Sequence, residues 1–186
     1  MLRHIAWFNE TPIEPDASGA LTSDDARACR RCLAPARELE KLGIECSVFG
    51  NLQGADPAHV AKHLQKLETD IVVIGRMTGP SLLALARTAK HLGCYVIADL
   101  GDESDLSPEQ KKLAALADQT VAATPAVADD LRQEGLPVIV IPDCDENSSG
   151  AQSPGAIALL WLDGFKKLKM KPPACANTNV PLAENG

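Results

Sequence analysis

Two apolar stretches, DIVVIGR at residues 70–76 and CYVIADLGDE at residues 94–103, decide the fold of this chain. Their apolar residues run together without alternating polar ones, which is typical of strands that helices cover on both faces of a parallel sheet. A segment of helical length separates them. Four more runs of this kind occur, also with helix-length segments between them: HIAWFNE at 4–10, IECSVFGN at 44–51, QTVAATP at 119–125 and VIVIPD at 138–143.

These runs predict an α/β fold, a single doubly wound Rossmann-like domain with a six-stranded parallel sheet flanked by helices. We expect right-handed crossovers and the strand order 3-2-1-4-5-6, numbered along the chain. The domain is predicted to span residues 1–171, with residues 153–171 as a terminal helix that packs on it. Residues 172–186, which are rich in proline, asparagine and alanine, are predicted to form a flexible tail.

Polar residues follow most of the predicted strands. Because ligands bind at the carboxyl ends of the strands in an open parallel sheet, we expect these residues to line one cleft. They are Asn9, Glu10, Arg76, Asp99, Asp102, Glu103, Thr124 and Asp143. Asp99, Asp102 and Glu103 are candidates for catalysis, because neighbouring carboxylates raise one another's pKa or hold a cation. The alternative for these three is a solvated loop that leads into the helix at Ser107.

Composition excludes some classes of partner and location. The 186 residues suit one domain, and the formal net charge of −7 with 3% aromatic residues disfavours a nucleic-acid partner. No apolar run has the length of a signal peptide's core or of the ~20-residue membrane span. The six cysteines are scattered through the chain rather than spaced as a disulfide framework. We therefore expect a cytoplasmic protein.

Several familiar motifs are absent or incomplete. There is no GxxxxGK[ST] loop, and no GxGxxG follows the first strand, which disfavours kinases, GTPases and dinucleotide dehydrogenases. Cys29 and Cys32 have redox spacing, but they fall inside a predicted helix rather than at its start. His59 and His63 share one helix face without the glutamate of an HExxH motif, so we expect no metal there.

The ordered series of segments resembles the amino-terminal domain of the two-domain (GT-B) glycosyltransferases, of the family-4-like kind. The matching segments are residues 30–48, DIVVIGR at 70–76, ADLGDE at 98–103, VAATPAVADDL at 121–131 and VIVIPD at 138–143. In that family the amino-terminal domain binds the acceptor and the carboxyl-terminal domain binds the nucleotide-sugar donor. This chain has no Glu-x7-Glu pair and no room for the second domain.

The resemblance implies the acceptor-binding half of a retaining, nucleotide-sugar-dependent transferase, incomplete or inactive alone. The donor would be a substrate, and no cofactor is implied. Asp99, Asp102 or Glu103 would orient or deprotonate an acceptor hydroxyl, and Arg76 would neutralise an anionic acceptor. The loop at Ser18 and Gly19 would approach the donor phosphates. The implied partners are a sugar or glycan acceptor and a separate donor domain.

Two other functions stay open. A non-catalytic binding or assembly module would hold a partner or a second copy of the chain. It would use the cleft at the strand ends or the apolar C-terminal helix, for example Leu160 and Trp161. A thiol-redox protein would use Cys29 and Cys32 and would need a depressed thiolate pKa. The lysines that end the last helix would also allow contact with a membrane surface, but we favour packing of this helix on the domain.

Overall fold

The computed structural model describes residues 2–51, 56–75, 80–103, 105–145, 147 and 149–169. The strands, in chain order, are β1 His4–Phe8, β2 Glu14–Pro15, β3 Leu21–Thr22, β4 Glu45–Phe49, β5 Ile71–Ile74, β6 Tyr95–Gly101, β7 Gln119–Ala122 and β8 Val138–Val140. The helices are α1 Ala26–Ala28, a π-helical segment Cys29–Leu33, α2 Ala34–Lys41, α3 Pro57–Lys66, α4 Pro80–His91, α5 Pro108–Leu116, α6 Pro125–Gln133 and α7 Pro154–Lys169.

The main sheet has six strands, and every pair in it is parallel. The prediction of a Rossmann-like α/β domain with a six-stranded parallel sheet is confirmed. The predicted strand order is wrong, because the observed order is β4-β1-β5-β6-β7-β8, or 2-1-3-4-5-6 when these strands are numbered along the chain. Burial explains the difference. The side chains of β5 are all buried and need a neighbour on each side, whereas those of β4 are half-buried or exposed and suit an edge.

This order places helices on both faces of the sheet. The connection from β1 to β4 runs in the opposite direction to the later connections, so α2 lies on the other face from α3, α4 and α5. Along β1 the side chains alternate between the two faces: Trp7 packs with Leu39 and Trp161, and Phe8 packs with Leu64 and Leu82. Helix α7 lies against α2.

The first long helix begins at Asp25 and changes its winding before Pro35. The Asp25 carboxylate accepts a hydrogen bond from the Arg27 N–H at 2.8 Å, so Asp25 is the N-cap, and Thr22 lies before it in β3. Pro35 has no N–H to donate to the Arg31 carbonyl. The chain widens into a π-helical turn immediately before this proline.

A short hairpin, β2–β3, occupies the segment after β1 that the sequence predicts as an open loop. The Asp16 carboxylate accepts hydrogen bonds from the Ser18 N–H at 2.7 Å, the Ser18 hydroxyl at 2.6 Å and the Ala20 N–H at 3.1 Å. Gly19 has a φ of 85°, which a side chain would strain. Ser18 and Gly19 therefore form the tip of a self-contained turn.

Gly50 gives a test of how this hairpin is attached to the sheet. A Cβ added at Gly50 would lie 2.4 Å from the Thr11 carbonyl oxygen and 2.7 Å from the Ile13 nitrogen. Because these are backbone atoms, they cannot rotate away. We expect Gly50→Ala to lower the free energy of unfolding by about 1–3 kcal/mol in urea denaturation. Gly155→Ala is the matched control, since its nearest neighbour is a side-chain oxygen at 3.8 Å. Equal stability of the two variants would contradict the tight approach.

No helix in the part of the chain that the structure describes is long and apolar enough to cross a membrane. Residues 170 and 171 of the predicted terminal helix and the predicted tail at 172–186 lie outside the described residues.

Candidate functional site

A buried arginine joins two of the strand ends. Arg31 projects from the π-helical turn, and its side chain is 5% exposed. Its Nε donates to Asp99 Oδ2 at 2.9 Å and its Nη2 donates to Asp99 Oδ1 at 2.6 Å, which is a bidentate contact. Its Nη1 donates to Asp143 Oδ1 at 2.7 Å and to the Ile141 carbonyl at 3.0 Å. The arginine therefore ties the ends of β6 and β8 to the helix that follows β1.

The charges around Arg31 hold it in its ionised form. Burial lowers the pKa of Arg31, but the charge and hydrogen bonds of Asp99, with those of Asp143, outweigh burial and raise the pKa above its ordinary value. Asp99 is the other half of this pair and is as buried as the arginine. Both carboxylate oxygens of Asp99 are therefore occupied by donors of Arg31.

A second arginine holds the other two predicted carboxylates. Arg27 lies 3.0 Å from Asp102 and 3.2 Å from Glu103, and it also donates to the Leu100 carbonyl at 3.0 Å. Glu103 also accepts from the Gln110 side chain. Gly101 has a φ of 61° and lies under the Arg27 guanidinium, where any side chain would collide. The carboxylates of this loop are thus organised by arginine rather than by one another.

The space between these groups is small. A cavity of about 10 Å³ is lined by residues that include Asn9, Arg31, Cys32 and Asp99. That volume admits about one water molecule. The Asn9 Nδ2 donates to Cys32 Sγ at 3.4 Å, so the asparagine at the end of β1 is also engaged. Side chains of the chain itself therefore fill the space between these strand ends.

The Cys29 and Cys32 pair does not have the environment of an activated thiol. Burial raises the pKa of Cys32 to about 12. The redox hypothesis requires a depressed thiolate pKa, and burial moves this one in the opposite direction. Cys29 Sγ donates to the Ser23 carbonyl at 3.2 Å. Both thiols serve to pack the π-helical turn.

The remaining predicted site residues lie around this centre. Thr124 caps α6, where its hydroxyl accepts from the Val127 N–H at 3.3 Å. Glu10 is half-buried at the end of β1. Ser18 and Gly19 are exposed at the hairpin tip. Arg76 lies outside the described residues, so its predicted role stays a prediction, as do the roles of the other residues.

A larger open cavity lies beside the end of β1, between the hairpin and the start of α1. Its volume is about 580 Å³, and its lining is Thr11, Pro12, Glu14, Thr22, Ser23, Asp24 and Asp25. We call it the hairpin groove. Sequence reasoning missed it because β2 and β3 have two residues each and lack the pattern of a strand.

Some polar side chains that line the hairpin groove have no partner among the described residues. The Thr11 hydroxyl oxygen is shielded from solvent and has no hydrogen-bond partner among the described residues. Within the same part of the chain, Glu14 and Asp24 take part in no ion pair. Ser23 and Asp25 are already used, since Ser23 donates to the Pro12 carbonyl at 2.8 Å and Asp25 caps α1. The groove can accept hydrogen bonds from a ligand through its free carboxylates.

No cluster of three or more His, Cys, Asp or Glu side chains suited to a metal ion occurs in the described ranges. The rings of His59 and His63 pack edge to face with centroids 4.8 Å apart, and His63 also lies 6.2 Å from the Phe49 ring. Both histidines lie on the exposed face of α3.

Comparison with known proteins finds similarity among solved structures and none elsewhere. No protein-family model matches the chain, and no curated protein matches its sequence. Among solved structures, MurG of Acinetobacter baumannii is similar over 67% of this chain and 42% of that chain, with 12% sequence identity and a TM-score of 0.49. The chain thus spans less than half of MurG. A de novo designed Rossmann 2x3 fold protein is similar over 90% of this chain and 91% of that chain, with 9% identity and a TM-score of 0.37. This chain is a Rossmann-like parallel α/β domain with a distant structural similarity to MurG.

Proposed function

We propose that this chain binds the acceptor of a nucleotide-sugar-dependent glycosyl transfer, and that a separate donor-binding domain completes the active site. The single observation that carries the proposal is the hairpin groove, an open cavity of about 580 Å³ at the carboxyl end of β1. The ordered sequence segments that resemble GT-B amino-terminal domains support the same function.

The lining of the hairpin groove suits a sugar. Sugar hydroxyls are donors as well as acceptors, and ionised carboxylates are acceptors only, so Glu14 and Asp24 are complementary to them. The volume falls within the range of about 300–1,000 Å³ that is usual for small-molecule sites.

The charges near the strand ends do not suit a nucleoside diphosphate. A departing diphosphate needs cations or free N–H donors to stabilise its charge. Arg27 and Arg31 contact residues at the ends of β6 and β8, and carboxylates already engage both of them. The donor therefore requires groups from another domain or subunit.

Among the carboxylates predicted to act on the acceptor, Asp102 is the best placed. Its side chain is 68% exposed, whereas those of Asp99 and Glu103 are 3% and 24% exposed. Each of the three is paired with an arginine, which fixes the position of the carboxylate. We assign Asp102 to orienting an acceptor once the donor domain is in place.

The test is a titration of the pure protein with monosaccharides and disaccharides, followed by chemical-shift changes of backbone amides. We expect shifts that saturate at Thr11, Glu14 and Asp24. Glu14→Gln and Asp24→Asn should each weaken binding roughly tenfold, since a hydrogen bond to a charged group contributes about 1.5–3 kcal/mol. Asp129→Asn, on the exposed side of α6, is the matched control.

Two outcomes would count against the proposal. Absence of any saccharide-dependent shift in the hairpin groove would remove the acceptor site. Sugar transfer or nucleotide-sugar hydrolysis by the pure chain would contradict the requirement for a second domain.

A second candidate function is an assembly module, which the surface of α7 favours. Leu159 and Leu160 are 57% and 42% exposed. Trp161, which the sequence suggests as part of the same interface, is 1% exposed and belongs to the core. If α7 pairs two copies of the chain, Leu160→Asp should convert a dimer to a monomer in sedimentation equilibrium. A wild-type chain that sediments as a monomer would exclude this function.

A further inference from the structure

A histidine away from the strand ends bridges two hydroxyl groups. His4 begins β1 and is 2% exposed. Its Nε2 lies 2.9 Å from Ser47 Oγ in β4, and its Nδ1 lies 2.9 Å from Thr69 Oγ1 in the turn before β5. A hydroxyl, an imidazole and a third group that fixes the ring are the parts of an activated serine.

The hydrogen bonds define one consistent proton arrangement. If Nδ1–H donates to Thr69 Oγ1, Nε2 is free to accept from the Ser47 hydroxyl. Burial lowers the pKa of His4, while Glu45 and Asp70, the charged groups that face it from β4 and from the turn before β5, act in the opposite direction. The neutral imidazole that a general base requires is thus the form present at neutral pH.

Ser47 opens onto a cavity. A cavity of about 390 Å³ is lined by His4 and Ser47 and by the carboxylates of Glu40 and Glu45. Neither glutamate takes part in an ion pair among the described residues. Because β4 is an edge strand and the Glu45 N–H donates inward to Arg3, the alternate N–H of Val48 points to the open edge. Val48 directly follows the serine, and the residue after the nucleophile is a usual oxyanion donor.

We propose that Ser47 and His4 form a catalytic dyad, separate from the hairpin groove, that hydrolyses small esters carrying a positive charge. The two glutamates supply the preference for a cation. Thr69 is a positioning residue, because its hydroxyl contacts the imidazole and fixes its tautomer.

The reaction balances with water as the only co-reactant. Ser47 Oγ bonds to the ester carbonyl carbon while its proton passes to His4 Nε2. The ester C–O bond then breaks, and the alcohol leaves with that proton. Water attacks the acyl-serine, gives its proton to Nε2 and releases the carboxylic acid, and the Nε2 proton returns to Ser47 Oγ.

The experiment compares hydrolysis of a choline ester and of a neutral ethyl ester with the same acyl group, together with labelling by a fluorophosphonate reagent read by mass spectrometry. We expect turnover of the choline ester at least tenfold faster than that of the ethyl ester, and the label on Ser47. Ser47→Ala should abolish both signals. Ser149→Ala, in an exposed loop, is the matched control and should leave both unchanged.

The pH dependence of the rate tests the role of Thr69, because a purely structural residue would not change it. The rate should fall as pH decreases through the pKa of His4, which burial lowers from its ordinary value. Thr69→Val should shift the midpoint of this profile and slow the reaction, and Thr69→Ser should restore both. Equal labelling of Ser47 and Ser149, or turnover that survives Ser47→Ala, would overturn the proposal. Absence of any turnover and label would do the same, and none of these outcomes bears on sugar binding at the hairpin groove.

Discussion

Arg31→Met is expected to lower the free energy of unfolding by about 3–5 kcal/mol, because it leaves the carboxylate of Asp99 buried without its cation. The Asp99 side chain is 3% exposed and receives both donors of the bidentate contact from Arg31. Methionine fills much of the arginine's volume, so the loss reports charge and hydrogen bonding rather than a cavity. Urea denaturation followed by circular dichroism measures it.

The neighbouring arginine is the matched control for this variant. The Arg30 side chain is 47% exposed, and its guanidinium lies 4.0 Å from Asp143. Arg30→Met should therefore change the free energy of unfolding by less than about 1 kcal/mol. The double variant Arg31→Met with Asp99→Leu should recover part of the loss, since it removes both members of the buried pair. If Arg31→Met is as stable as Arg30→Met, the network does not hold the strand ends together.

The acidic half of this network could be predicted from the sequence, and the basic half could not. Asp99 and Asp143 each follow an apolar run, so the rule for strand ends identifies them. Arg31 sits on a helix beside another arginine, a pattern that usually indicates a solvated face. Only the π-helical turn before Pro35 rotates it inward, and no local pattern specifies which of two adjacent arginines will be buried.

The strand order illustrates a different limit. Six apolar runs indicate six strands, but their order depends on which strand can tolerate an edge. The sequence carries some of this information, because ECSVF mixes polar and apolar residues and IVVI does not. The hairpin groove could not be predicted from the sequence, for another reason. It forms from strands of two residues each, which owe their geometry to the turn at Asp16 rather than to periodicity.

Helix α7 is as much a part of the domain as the sheet is. Trp161 packs edge to face against Trp7 of β1, with ring centroids 4.9 Å apart, and lies 5.6 Å from the Phe165 ring. Trp7 and Trp161 are among the largest fully buried side chains. The last described helix therefore completes the core on the face that α2 leaves partly open.

Trp161→Ala should lower the free energy of unfolding by about 3–5 kcal/mol, since it removes a fully buried indole and its edge-to-face partner contact. Leu160→Ala, one residue away and 42% exposed, should change it by no more than about 0.5 kcal/mol. The difference in stability between the two variants separates the buried face of α7, which packs on the domain, from its exposed face. Unfolding of the wild-type chain should be a single transition, since the Trp161 indole of α7 packs against Trp7 of β1. Two separate transitions in the wild-type chain, with α7 lost first, would show that the helix docks on a sheet that is already stable without it.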